Sequence, residues 1–121
     1  AKPVSPGLSH LRITLSDSFY VGPGRADLME LIAETGSISE AAKRMGMSYK
    51  RAWSLVQALN DGFGAPLVET ARGGKDQGAS LTAAGREVLE RYRGMQAATR
   101  QAIARDVDAL LALHTDMSER K

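Results

Sequence analysis

The sequence predicts a mainly α-helical chain with a small β-sheet and one long C-terminal helix. Three observations carry this. Residues 36–60, GSISEAAKRMGMSYKRAWSLVQALN, read as two helices joined by a tight glycine turn. Residues 67–82 read as a strand, a glycine-rich basic tip and a second strand. From Ala83 onward, apolar residues recur every three or four positions and no proline intervenes. Helix, turn, helix and then a hairpin is the order of a winged helix-turn-helix.

Composition sets the bounds. A chain of 121 residues is expected to form one domain, and 43% apolar residues suffice for one modest core. With one Trp, three Tyr and two Phe, that core must come from Leu, Ile, Val, Met and Ala, a mix that favours helix. The lack of cysteine excludes disulfides, thiolate metal sites and cysteine nucleophiles, and fits the cytoplasmic location expected here. No apolar run approaches the ~18 residues of a membrane span. The opening AKPVSPGLSH has no apolar signal-peptide segment. Residues 1–9 are expected to be a flexible leader, since Pro3, Pro6 and Gly7 break regular structure.

Residues 10–82 are expected to form the winged domain. Residues 11–16 alternate, with Leu11, Ile13 and Leu15 on one side and Arg12, Thr14 and Ser16 on the other, which reads as a strand. Its expected partner is the later hairpin, as the third strand of one small sheet. Residues 21–24, VGPG, read as a turn. Residues 25–35 read as the first helix, with Leu28, Leu31 and Ile32 inward and Gly36 at its end. Ser37 or Ser39 can cap the second helix. Ala41 and Ala42 are small enough for a close helix crossing. Gly46 supplies the left-handed turn residue, between Met45 and Met47. Ser48 caps the third helix, in which Ala52, Leu55, Val56 and Leu59 fall at inward spacing. By subtraction Tyr49, Lys50, Trp53, Ser54 and Gln57 face outward or lie at the margin.

Residues 61–66 end that helix, and Phe63 is expected to tuck beneath it. Residues 67–71 and 79–82 are the two wing strands, with Arg72 and Lys75 in the tip. Thr82 can cap the last helix. Residues 83–121 are assigned to that long helix and its tail. Its stripe of Val88, Tyr92, Met95, Thr99, Ile103, Val107, Leu110 and His114 outruns so small a core. Such a stripe wants a partner helix, so Tyr92, Met95, Ile103, Val107 and Leu110 are expected at a homodimer interface, antiparallel or crossed. The bland alternative is a tail frayed beyond Thr99.

Charge points to the partner. The formal net charge is +2 and the pI about 9.2, so distribution matters more than the total. Residues 41–60 carry Lys43, Arg44, Lys50 and Arg51 and no acid, a face suited to phosphate, although a solvated helix surface looks the same. Enzyme chemistry is not expected. His10 and His114 lie far apart in sequence, no carboxylate pair has an acid–base setting, and the Gly73-Gly74-Lys75 tip lacks the GxxxxGK[ST] phosphate loop.

Three motifs carry a family resemblance: GSISEAA (36–42), GMSYKRAW (46–53) and LVETARGGKDQGASLTAAG (67–85). With them the chain resembles the N-terminal DNA-binding domain of ModE-type molybdate-responsive regulators, itself similar to the winged helix-turn-helix of LysR-type regulators. The resemblance implies a sequence-specific regulator that binds a palindromic operator on double-stranded DNA as a homodimer, with a link to molybdenum metabolism. It implies that Ser48, Tyr49, Lys50 and Ser54 meet bases and phosphates, with Arg51 and Gln57 nearby. Ser37 and Ser39 would cap and touch phosphate beside Lys43 and Arg44, and Arg72 and Lys75 would serve the wing. In chemical terms, Lys50 or Arg51 suits guanine O6 and N7, and Gln57 suits adenine. Trp53 matches the family pattern with its role open. No stretch matches the serine- and arginine-rich motif of the family's oxyanion-binding module, so no cofactor is expected in this chain. Whether molybdate is sensed stays open, and a separate effector-sensing partner is one expectation. The rival readings are a winged-helix protein-interaction module and a nonspecific, nucleoid-type DNA binder.

Overall fold

A computed structural model describes residues 6–71 and 78–119. Its elements in chain order are β1 (Ile13–Ser16), β2 (Phe19–Val21), α1 (Pro23–Thr35), α2 (Ile38–Met45), α3 (Tyr49–Phe63), β3 (Val68–Thr70), β4 (Ala79–Leu81) and α4 (Ala83–Glu119). The architecture is the mainly helical winged helix-turn-helix read from the sequence. The pairing of β1 differs.

β1 was expected to join the wing. It instead pairs with β2, antiparallel, in register Ile13↔Val21 and Thr14↔Tyr20. The chain reverses at Asp17 and Ser18, where the Ser18 amide donates to Ser16 Oγ at 3.2 Å. β2 then buries Phe19 and Val21 on alternate positions, which brings the hairpin onto the helices. The wing strands form a separate antiparallel pair, Val68↔Leu81 and Thr70↔Ala79. Residues 21–24 are likewise not a turn: Gly22 is the N-cap of α1 and Pro23 takes its first turn, where the missing N–H costs nothing.

The core draws on every element except β1. Leu28, Met29 and Ile32 of α1 meet Ala41 and Ala42 of α2 and Ala52, Val56 and Leu59 of α3. Leu67, Val68 and Leu81 close it from the wing base, and Tyr92 closes it from α4. Leu31 and Leu55, expected inside, are half-buried at the margin. α3 runs past the expected stop through Asp61 and Gly62 to Phe63, whose ring meets Phe19 edge-on with centroids 5.2 Å apart. Gly62 lets this happen: a Cβ there would collide with the Ser18 carbonyl.

α4 has 37 residues and spans about 55 Å at 1.5 Å per residue. It remains helical well past Thr99, so the frayed-tail alternative fails. Arg93 ties it to α1 through Asp27 at 2.8 Å and Glu30 at 3.1 Å. Burial works against the Arg93 charge, but those two carboxylates more than offset it and raise its pKa above the ordinary value. The Tyr92 hydroxyl donates to the Leu11 carbonyl at 2.7 Å and takes a hydrogen bond from Gln96 at 3.3 Å. Tyr92 was expected at a dimer interface. It is fully buried by its own chain, because the first turns of the stripe face the winged domain. Part of the expected leader also lies against α4: Pro6, Gly7 and Leu8 line one depression with Ile103 and Val107.

Candidate nucleic-acid interface

The interface is built from two helix starts and the turn between them. Ser37 is the N-cap of α2, with extended backbone and its Oγ accepting from the Glu40 amide at 3.0 Å. Of the two serines weighed for this role, Ser39 instead lies exposed in the first turn. The far end of α2 closes with two hydrogen bonds, Met47 N–H to the Ala42 carbonyl at 3.0 Å and Gly46 N–H to the Lys43 carbonyl at 3.1 Å. This geometry requires the left-handed conformation found at Gly46, φ 69°. Two residues later Ser48 caps α3, its Oγ accepting from the Arg51 amide at 3.1 Å. Each capping serine satisfies one of the unpaired N–H groups and leaves others at the helix start for an acceptor from outside.

The faces of α3 separate as the spacing required. Ala52, Val56 and Leu59 are buried. Tyr49, Lys50, Arg51, Trp53, Ser54 and Gln57 are all exposed on the other side. Lys43 and Arg44 are exposed at the end of α2. Arg44 lies 4.0 Å from Glu34 across two exposed side chains, a contact worth little. Lys43, Lys50 and Arg51 pair with no acid among the described residues. Tyr49 and Trp53 stack, with centroids 6.5 Å apart and planes 13° from parallel.

The wing is fixed to this unit at its base. The Ala79 amide donates to the Gly36 carbonyl at 2.8 Å, so β4 abuts the start of α2. The Asn60 side chain joins α3 to β3: Oδ1 accepts from the amides of Leu67 at 2.8 Å and Val68 at 3.1 Å, and Nδ2 donates to the Val68 carbonyl at 2.9 Å. Thr82 Oγ1 donates to the Pro66 carbonyl at 2.7 Å and accepts from the Gly85 amide at 3.0 Å, capping α4. The tip residues Arg72 and Lys75 lie outside the described residues. Sequence reasoning passed over Asn60 and Gly85 as framing residues. The available signal was local: a polar residue at an inward margin of α3, and a glycine in the first turn of a long helix.

Two capped helix starts, an exposed cationic face on the second helix of the pair and a wing hydrogen-bonded to the first define a winged helix-turn-helix domain. The chain belongs to the family of bacterial regulatory helix-turn-helix proteins of the lysR type, which it matches over residues 26–86. It is 46% identical over 78 residues to the molybdenum-pterin-binding protein MopB of Rhodobacter capsulatus, covering 64% of this chain and 29% of that protein. It is 40% identical over 83 residues to the DNA-binding transcriptional dual regulator ModE of Escherichia coli (strain K12), covering 68% of this chain and 32% of that one. The ModE-type resemblance read from the motifs is thereby shown. The chain spans about a third of the length of these relatives. Among solved structures, the DNA-binding domain of CbnR in complex with DNA matches with a TM-score of 0.58 and 30% identity, over 72% of this chain and 95% of that one. Among the described residues no helix is long and apolar enough to cross a membrane.

Proposed function

We propose that this chain is the DNA-binding part of a ModE-type transcriptional regulator that acts in molybdenum-linked gene control. The observation that carries the reading is the outward face of α3. It offers Lys50, Arg51, Ser54, Gln57 and Tyr49 to solvent on a helix whose start keeps unpaired N–H groups, within a family of DNA-reading frames. The ModE and CbnR names support double-stranded DNA as the partner, and the MopB and ModE names support the molybdenum link.

In this reading α3 enters the major groove. The starts of α2 and α3, at Ser37, Ser39 and Ser48, hold phosphates on either side, helped by Lys43 and Arg44. Lys50, Arg51 and Gln57 meet base edges, each good pair contributing about 1–3 kcal/mol of discrimination. Arg72 and Lys75 extend the contact from the wing. The test is titration of labelled duplexes at several salt concentrations. Neutralising Z phosphates gives a log–log slope of about −0.9Z, and a flat response would sink the reading. Lys50→Ala together with Arg51→Ala should weaken binding and flatten that slope. Selection from a random DNA pool should enrich one sequence, whereas a nucleoid-type binder would enrich none.

The regulator is further proposed to act as a homodimer through α4. The face that buries Tyr92 and Gln96 continues as Ile103 and Val107, half-buried beside Pro6, Gly7 and Leu8, and then as Leu110, which is 64% exposed. Nearer the domain, an apolar groove of about 420 Å³ opens between β1 and α4, lined by Ile13, Leu15, Val88 and Met95. Two such units would present two copies of α3, so the enriched DNA should be an inverted repeat.

A further inference from the structure

We propose that Tyr49 and Trp53 form an aromatic ledge on α3 that reads the 5-methyl groups of thymines in the major groove. This rests on the DNA-binding reading above and names what part of that site recognises.

The starting point is a pair of aromatic side chains that lie outside the core. Trp53 is the only tryptophan of the chain, in a protein whose core is built mainly from aliphatic residues and alanine. An indole buried in that core would contribute more than any other side chain. Trp53 is instead 37% exposed, and Tyr49, one turn earlier, is 50% exposed. Their near-parallel offset stack holds both rings in place before any partner arrives. A ledge ordered in advance loses less side-chain freedom on binding. Neither the indole N–H nor the phenol hydroxyl has a hydrogen-bond partner among the described residues, so the hydrogen bonds of the fold do not explain the placement.

The surroundings select the occupant. The stack is bordered on α3 by Lys50, Ser54 and Gln57, all exposed, and Lys50 is paired with no acid among the described residues. Two rings are too small an apolar patch for a stable protein interface, and an unpaired cation beside them would be costly to bury against another apolar surface. A polyanion that carries small apolar groups at intervals satisfies both features. The DNA major groove has one such group, the thymine methyl, beside phosphates and hydrogen-bonding base edges. The ledge thus separates T·A from C·G by contact, while Lys50 and Gln57 work through hydrogen bonds.

The test uses the full chain and the duplex enriched from a random pool. Each thymine of a half-site is replaced in turn by deoxyuridine, which lacks the methyl and keeps every hydrogen-bonding group. Wild type should lose about fourfold in affinity at one or more positions, the worth of one buried carbon. In Trp53→Ala the thymine-over-uracil ratio at those positions should fall to about one, and Trp53→Phe should keep part of it. Lys50→Ala should weaken binding to every duplex and leave the ratio unchanged. Thermal unfolding checks that the Trp53 variants are folded, and Trp53→Phe serves alone if Trp53→Ala is not. A wild type indifferent to every methyl, or a Trp53 variant that keeps the full ratio, overturns the ledge while leaving DNA binding intact. A wild type that binds no duplex overturns the DNA-binding reading and the ledge together.

Discussion

Asn60 and Tyr92 show how single side chains hold the interface from behind. Asn60 serves two buried residues at once, Leu67 and Val68, whose amides have no strand partner at that edge. Asn60→Ala orphans both amides, and each unsatisfied buried group costs about 1–3 kcal/mol. Urea unfolding should show that loss, and DNA binding should weaken further because the wing base is released from α3. Tyr92 acts at the other end of the core. Its burial raises the hydroxyl pKa above the ordinary phenol value, with Arg93 opposing the shift. The sign follows: a folded-state pKa above the unfolded value of about 10 gives stability that is complete below pH 10 and is lost as pH rises through the folded value. Thermal midpoints measured up the alkaline range should therefore fall less steeply in Tyr92→Phe than in wild type. At neutral pH the same variant should cost roughly 1 kcal/mol, the net worth of its bond to the Leu11 carbonyl.

Among the elements, what was legible in the sequence was local. The cap at Ser48, the turn at Gly46 and the buried Ala52, Val56 and Leu59 of α3 each depend on residues within a turn or two of one another and stand where the spacing put them, while Leu55 came to lie at the margin and the α2 cap fell to Ser37 of the two serines weighed. What could not be read was which elements meet. The alternation of β1 was assigned to the wing, whereas β1 pairs with β2, which buries Phe19 and Val21 on the core. Periodicity showed that Tyr92 is covered but could not say by what, since burial by the same chain and by a second copy give one pattern. Close approaches are equally silent in a sequence, and the glycines of α4 make this testable. At Gly85 a Cβ would collide with the Leu67 carbonyl, whereas at Gly94 nothing lies within 4 Å. Alanine favours a helix over glycine by about 0.8–1.0 kcal/mol at both positions. At Gly85 the clash with backbone, typically 1–3 kcal/mol for overpacking, outweighs that gain. Gly85→Ala should thus lower the thermal midpoint and Gly94→Ala should raise it.

At the scale of the whole molecule, the question is what α4 is for beyond the domain that anchors it. Tyr92 and Arg93 anchor it to Leu11, Asp27 and Glu30, and past Thr99 it runs on with Leu110 64%, Leu113 60% and Met117 61% exposed. A helix cannot hold such a face in water cheaply, since burying one such side chain is worth about 1.5–3 kcal/mol. In the proposed homodimer a second copy would cover it with a matched surface, because a two-fold axis would bring the same face from each chain and count every contact twice. A single substitution would then act at two places. Leu110→Asp with Leu113→Asp would put four carboxylates into the face such a dimer shares, on exposed positions of α4. Sedimentation at micromolar concentration should find wild type as a dimer and this variant as a monomer. Wild-type thermal midpoints should rise with protein concentration, and those of the variant should not. On an inverted repeat the variant should bind more weakly than wild type, and on a single half-site the two should bind alike. A wild type that sediments as a monomer would remove the dimer, and with it the reason to expect a palindrome.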